Sequence, residues 1–264
     1  MRIATWNINS VRTRIERLTD WLQRTEVDVL ALQETKCRDD QFPGLELSGL
    51  GYEVAHFGLN QWNGVAVLSR VGLEDVATSF AADQPLFGEP PVLEARAVGA
   101  TCGGIRMWSL YIPNGRELDH PHYTYKLAWL ESLRKAGAGW LDDDGRAQIA
   151  LTGDWNVAPQ DDDVWDMEVF RNTTHVSEPE RAAFRAVVES GYADVVRPHT
   201  PGPGVYTYWD YQQLAFPKKR GMRIDFVLGS PALAERVTGA FIDREERKGK
   251  SPSDHAPVVV DLAD

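Results

Sequence analysis

The sequence predicts a mixed α/β protein in which two β-sheets pack together and helices cover their outer faces. Three observations carry this. Nine short apolar runs recur along the chain with turn residues between them, at residues 3–8, 27–32, 52–57, 64–68, 92–98, 105–112, 147–151, 224–228 and 256–262. Helical periodicity separates several of them. Nine strands are also too many for one comfortable sheet, so two sheets are expected.

In chain order, residues 3–8 open a strand. A helix follows over 11–25, where Val11, Ile15, Leu18 and Leu22 share one face and Asn9 or Ser10 can cap the start. Four further strands (27–32, 52–57, 64–68, 92–98) lead to a sixth at 105–112, and residues 123–136 form a second helix. After the strand at 147–151 comes a helix over 178–190, opened by Ser177 and closed by Gly191. Two strands, 224–228 and 256–262, complete the series. The stretches 198–204 and 216–221 are surface loops, where binding residues tend to sit. No repeat, low-complexity tract or long linker divides the chain, so residues 1–264 are expected to form one domain.

Composition narrows the function classes. Forty-three per cent apolar and ten per cent aromatic residues exclude a disordered tail or a collagen-like chain. No apolar run approaches the roughly 18 residues of a membrane span, which predicts a soluble protein without a membrane partner. The first residues enter a strand pattern directly, with no export signal, so a cytoplasmic address is expected. Cys37 and Cys102 stand far apart without a CxxC partner, which argues against a disulfide framework or a cysteine zinc site. The net charge of −11 is uneven: residues 141–168 hold nine acids against one base, placing −8 there and −3 in everything else. Basic clusters stand at Arg12, Arg14 and Arg17, at Lys218, Lys219, Arg220 and Arg223, and at Arg244, Arg247, Lys248 and Lys250.

The chemistry is concentrated where the strands end. Asn7 and Asn9 end the first strand and Glu34 follows the second; Tyr111 and Asn114 stand at the end of the sixth; Asp154 and Asn156 follow the strand at 147–151; Asp225 and the pair Asp254-His255 flank the last two. Taken singly, each is an exposed residue or a helix cap. Gathered on one rim, Glu34, Asp154, Asp225 and Asp254 would repel by roughly 4 kcal/mol per pair at 4 Å and an effective dielectric near 20, so they would need a cation or a proton. An all-oxygen donor set of carboxylates and carboxamides suits Mg²⁺ or Mn²⁺ better than Zn²⁺. His255 paired with a carboxylate such as Asp225 would be held as an imidazolium, able to stabilise charge on a phosphoryl oxygen. No Gly-x-Ser-x-Gly elbow and no GxxxxGK[ST] loop occurs, so acyl hydrolases and P-loop NTPases have no support.

Seven segments in order extend the reading: Trp6-Asn-Ile-Asn9, Leu32-Gln-Glu-Thr-Lys36, Trp62-Asn-Gly64, Tyr111-Ile-Pro-Asn-Gly115, Gly153-Asp-Trp-Asn-Val-Ala-Pro159, Arg223-Ile-Asp225 and Ser253-Asp-His-Ala-Pro257. Together they resemble the exonuclease III type apurinic/apyrimidinic endonucleases of the endonuclease/exonuclease/phosphatase superfamily, over essentially the whole chain. The resemblance implies a four-layer α/β sandwich that hydrolyses phosphodiesters at one end of its paired sheets with a divalent metal. It implies Glu34 as principal metal ligand with Asn7 and Asp254 nearby, directly or through water. Asp154 would activate or position the attacking water, and Asn156 would orient water and phosphate. His255, supported by Asp225, would contact the scissile phosphate together with Tyr111 and Asn114. An extruded baseless sugar would enter a pocket walled by Tyr208, Met222 and Ile224, and selectivity would follow from the low cost of flipping a site that has no base to unstack. Arg12, Arg14, Lys218 and Lys219 would meet the DNA backbone, which positions a duplex without reading its sequence. The acidic 141–168 stretch would then face away from DNA except at Asp154. Ser10 stands where members of the family often carry Gly, and Met222 where they often carry Leu or Trp.

The expected function is a monomeric DNA repair nuclease acting on duplex DNA at abasic sites and 3′ ends. One competing reading is a phosphatase of the same superfamily acting on a phosphorylated small molecule or lipid head group. Another is a DNA-binding module that has lost catalysis, which would lack the Glu or the His; both are present.

Overall fold

The computed structural model describes residues 1–264. The elements in order are β1 (Arg2–Asn7), α1 (Ile15–Thr25), β2 (Val29–Gln33), α2 (Gly44–Ser48), β3 (Glu53–Phe57), β4 (Val65–Ser69), β5 (Glu74–Ala77), β6 (Ala97–Cys102) and β7 (Ile105–Tyr111). They continue with α3 (Pro121–Asp143), β8 (Ile149–Asp154), α4 (Met167–Phe170), α5 (Glu178–Glu189), β9 (Ala193–Asp194), β10 (Asp225–Gly229), α6 (Pro231–Ala234), β11 (Val237–Ile242) and β12 (Val258–Leu262). Two six-stranded sheets result, in the orders β11-β12-β1-β2-β4-β3 and β5-β6-β7-β8-β10-β9. Both are mixed: β1 and β2 are parallel, as are β7 and β8, and the remaining pairs are antiparallel.

Three apolar cores separate four layers, as expected. Ile3, Val29, Ala31, Val65 and Val67 of the first sheet meet Val98, Ile105, Met107, Ala150 and Val227 of the second. Outside the first sheet, Trp6, Leu30 and Leu32 pack under Leu18, Trp21 and Leu22 of α1. Outside the second, Trp108, Leu151 and Phe226 pack under Trp129 and Leu133 of α3 and Phe184 of α5. The central strands β2, β4, β8 and β10 are buried along their whole length, which explains why they read as continuous apolar runs rather than alternating ones.

Period-2 alternation places the chemistry. Residues i, i+2 and i+4 of a strand share a face, so the columns Ile3-Thr5-Asn7, Val29-Ala31-Gln33, Met107-Ser109-Tyr111 and Ala150-Thr152-Asp154 all line the space between the sheets. Each column is apolar at one end and polar at the other. The parallel pairings Asn7↔Gln33 and Tyr111↔Asp154, with Asp225↔Asp154 across the antiparallel neighbour, bring the polar ends to one rim.

Several expectations shift. The strand expected at 92–98 starts only at Ala97; Val92 pairs with Phe87 in an isolated bridge, after Pro90 and Pro91, which have no N–H to offer a ladder. The last strand starts at Val258, because Pro257 cannot donate and the Ala256 N–H is taken by the Thr207 carbonyl at 2.7 Å. The first helix starts at Ile15, with no side-chain cap from Asn9 or Ser10, because residues 9 and 10 have positive φ (44° and 82°) and Asn9 turns into the site. Residue 10 thus holds a left-handed conformation that glycine adopts without steric cost. Three strands are unanticipated, all at sheet edges: β5 and β9, of four and two residues, are too short to show a period, and the six-residue β11 is only half-buried, so it shows no apolar run.

Candidate active site

The rim collects side chains from both sheets. Asn7 Nδ2 lies 2.7 Å from Glu34 Oε1 and 3.0 Å from Asp154 Oδ2, so one amide bridges the two carboxylates across the sheet interface. The Asn7 oxygen accepts the Asn9 N–H at 3.1 Å, so Asn7 presents nitrogen to the carboxylates. Lys36 Nζ stands 2.9 Å from Glu34 Oε2 and donates to Asn9 Oδ1 at 2.6 Å. His255 is sandwiched between acids, with Nδ1 2.8 Å from Asp225 Oδ2 and Nε2 3.8 Å from Asp154 Oδ2. Tyr208 packs its ring on the imidazole at 4.9 Å, and the indole of Trp6 donates to the His255 carbonyl.

Protonation follows from these neighbours. Burial pulls His255 down, but the charges of Asp225 and Asp154 outweigh it and hold the imidazole up at about 10. Burial pushes Asp154 up, His255 opposes, and Asp225 and Glu34 push further, leaving it at about 7. Burial also pushes Glu34 up, yet Lys36 and the Asn7 amide prevail and the carboxyl sits below its ordinary value. Burial and the Glu34 charge hold the Tyr111 phenol well above its usual range, so it is a neutral donor. The Arg96 guanidinium stacks on the Tyr111 ring at 4.8 Å, and the two backbones join through Tyr111 N–H and the Arg96 carbonyl at 2.7 Å.

One ligand atom each from Glu34, Asp154 and His255 falls within 4.8 Å of the other two. The imidazolium is a donor and not a ligand in this state, which leaves two carboxylates. A hard cation that binds through one or two carboxylates and keeps several waters fits such a site. Asp225 also has a buried Oδ1 without a hydrogen-bond partner.

Other expected residues lie around this point. Asn156 accepts from Asn114 Nδ2 at 3.1 Å and donates to the Ile112 carbonyl at 3.0 Å, so the two asparagines form one unit beside Asp154. Asp254 accepts from Asn9 Nδ2 at 2.9 Å and stands outside the three-residue group. Tyr208 and Met222 line a pocket of about 260 Å³ together with Trp165, Val169, Phe170 and Arg220. Ile224, just before β10, is buried in the cluster of Ala158, Val164 and Met222 against which Tyr208 and Phe170 pack. Trp165, in the loop before α4, and Phe170, at the end of α4, escaped the sequence reading, since nothing local marks such an aromatic as a pocket wall. The 141–168 stretch divides. Asp142 and Asp143 end α3 at the start of β8, opposite the rim, but Trp165 reaches the pocket, with nearby Asp161 and Asp163 paired to Arg181 and Arg197.

Of the basic residues, Arg12, Lys218 and Lys219 are exposed. Arg14 is engaged within the protein, donating to the carbonyls of Ser251 and Pro252 and to the Tyr211 hydroxyl, and so braces the rim. The Lys218–Lys219 loop is anchored by Arg244 and Arg247, which stack on Phe216 at 4.9 and 5.2 Å.

With this geometry described, comparison with known proteins is decisive. The Endonuclease/Exonuclease/phosphatase family model matches residues 4–255. The chain belongs to that family. Among its members, an exodeoxyribonuclease of Bacillus subtilis is 30% identical over 98% of both chains. The structure of the 3′ phosphatase NExo from Neisseria bound to a product DNA hairpin is 34% identical with a TM-score of 0.92, covering 99% of each chain. An AP endonuclease from Archaeoglobus fulgidus is 35% identical with a TM-score of 0.91, again over 99% of each chain. No helix of this family member is long and apolar enough to cross a membrane.

Proposed function

We propose that this chain is a metal-dependent DNA repair nuclease that cuts the phosphodiester 5′ to abasic sites in duplex DNA and cleans or trims 3′ ends. The observation that carries the reading is the meeting of Glu34, Asp154 and a protonated His255 within 4.8 Å on the rim between the sheets. Its relatives are DNA-hydrolysing enzymes at 30–35% identity over nearly the full chain.

Glu34 would hold the ion together with Asp154, and Asn7 and Asp254 would act through water. Mg²⁺ fits the hard donor set, and Mn²⁺ could replace it. When bound, the ion supplies positive charge to a phosphoryl oxygen and to the leaving oxygen. The other roles belong to the chain. Asp154 orients the attacking water and takes its proton as an oxygen–phosphorus bond forms and the bond to the 3′ oxygen breaks. His255 and the Tyr111 phenol donate to non-bridging oxygens, whose charge grows in the transition state. Asn114 and Asn156 fix the phosphate beside Asp154. The pocket of Tyr208, Met222, Trp165 and Phe170 takes the baseless sugar, and Lys218, Lys219 and Arg12 meet the backbone. All of these groups come from one chain, so a monomer of one domain suffices.

The test is a duplex carrying one abasic analogue beside a duplex with a 3′-phosphate, each with Mg²⁺ or with chelator. Nicking 5′ to the lesion and release of phosphate are expected with metal only, and Glu34→Ala should reduce both at least about 10³-fold. No cleavage of either substrate at any metal concentration would reject the reading. Cleavage of the 3′-phosphate alone would restrict the enzyme to 3′ ends, a second reading favoured by the likeness to the Neisseria 3′ phosphatase.

A further inference from the structure

Lys126 projects from α3 into the protein with a side chain that has no solvent exposure. An ammonium has three N–H donors, and burying it is costly unless all three find acceptors. Here they do: the Asn156 carbonyl at 2.6 Å, the Asn114 carbonyl at 3.2 Å and the Glu180 carboxylate. Glu180, equally buried in the first turn of α5, accepts in turn from Thr174 Oγ1 at 2.6 Å, the His175 N–H at 3.0 Å and the Ser177 hydroxyl. Burial pushes its carboxyl up, but the Lys126 charge prevails and keeps it ionised. Meanwhile His175 Nε2 reaches Asn156 Oδ1 at 3.1 Å. Three loops, those after β7 and β8 and the one before α5, are thus tied to one buried charge pair.

Stability alone is a poor reason for such a pair, because apolar replacements of buried ion pairs are often neutral or stabilising. Its geometry offers a better one. Lys126 grips the backbone of the two residues whose amides stand beside Asp154. We propose that the Lys126–Glu180 pair is a positioning device for phosphodiester hydrolysis, preorganising the Asn114 and Asn156 amides that meet the phosphate. The inference rests on the nuclease reading above. Neither residue touches substrate.

Lys126→Met alone strands a charged Glu180 in the interior and is expected to unfold, so the informative variant is Lys126→Met/Glu180→Gln, which removes both charges. It should melt close to wild type and bind abasic duplex within about 3-fold of wild-type Kd, while the single-turnover cleavage rate falls about 10–100-fold, the scale of a small misplacement of catalytic groups. In an Asn156→Ala background the same pair of changes should cost no more than about 3-fold further, because the two act through one unit. The side-chain amide ¹H–¹⁵N peaks of Asn114 and Asn156, recorded without DNA or metal, should move or broaden. Should the double variant unfold, Lys126→Arg keeps the charge but cannot serve three acceptors from one nitrogen, and it gives the same readings. A wild-type rate with unmoved amide peaks overturns the proposal. So does a rate loss that multiplies independently with Asn156→Ala. If the wild-type protein cuts no DNA, it is the nuclease reading that fails, and the amide peaks still decide the positioning.

Discussion

Asn7 shows how much one side chain contributes at the rim. Its single amide nitrogen is shared between Glu34 and Asp154, so two acids that would repel are held together by a neutral donor. His122 offers a cleaner test of electrostatics, away from the acidic rim. It is buried, and its Nδ1 accepts the N–H of Gly115, next to Asn114, at 3.0 Å, so the native state needs it neutral. Burial, helped by the Arg96 charge, pulls it down to about 4. Because the folded value lies below the unfolded one of about 6.5, the unfolded state takes up the proton first, and stability falls as pH drops from about 6.5 towards 4. His122→Asn keeps an acceptor without titrating. Urea unfolding at pH 7 and pH 4.5 should show the wild type losing on the order of 2 kcal/mol more than this variant over that interval. Parallel losses would exclude His122 as a source of acid sensitivity.

Among the elements, β8 bears the greatest constraint, since it carries Asp154 and pairs with both β7 and β10. Gly153, just before Asp154, has φ 142°, and a Cβ built there would lie 1.9 Å from the Leu110 carbonyl of β7. The strand can approach β7 closely only because that position has no side chain. Gly153→Ala is therefore expected to destabilise the fold by about 2–4 kcal/mol and to lower cleavage by displacing Asp154 from Tyr111. A melting temperature within 2 °C of wild type, roughly the measurement of a negligible change, would show that the strands can part without cost. The same element scale explains the helix boundaries. α3 runs to Asp143, well past the expected residue 136, because Ala136, Trp140 and Leu141 continue its packing against the second sheet.

For the molecule as a whole, net charge and DNA binding conflict only on average. The −11 chain keeps Asp142, Asp143 and Asp144 at the end opposite the rim and pairs Asp161 and Asp163 with arginines, while Arg12, Lys218 and Lys219 remain exposed. Local charge therefore decides the approach of a polyanion. Lys218→Glu/Lys219→Glu should weaken duplex binding and flatten the dependence of log K on log salt by about 2, as expected for two lost phosphate contacts. An unchanged slope in binding titrations between 50 and 200 mM salt, the interval over which roughly six to ten contacts cost 10³–10⁵-fold, would remove the loop from the interface.

Alternation and ordered short segments made the four layers and the polar residues of the rim legible. Asn7, Glu34, Tyr111, Asp154, Asp225 and His255 each end or flank an apolar run, and period 2 sends most of them to the side occupied by the core. Whether Ile224 serves as pocket wall or core depends on what packs over it, and no local pattern carries that. Trp165, His175 and the pairing of Lys126 with Glu180 carried no signal at all, since each depends on loops separated by tens of residues meeting at one place. The chain by itself determined the chemistry available and the face on which each group lies, because those follow from local backbone geometry. Only the packing of two sheets decided which acids share one amide, which lysine loses its water and which loops close the site, because desolvation and charge coupling act through space.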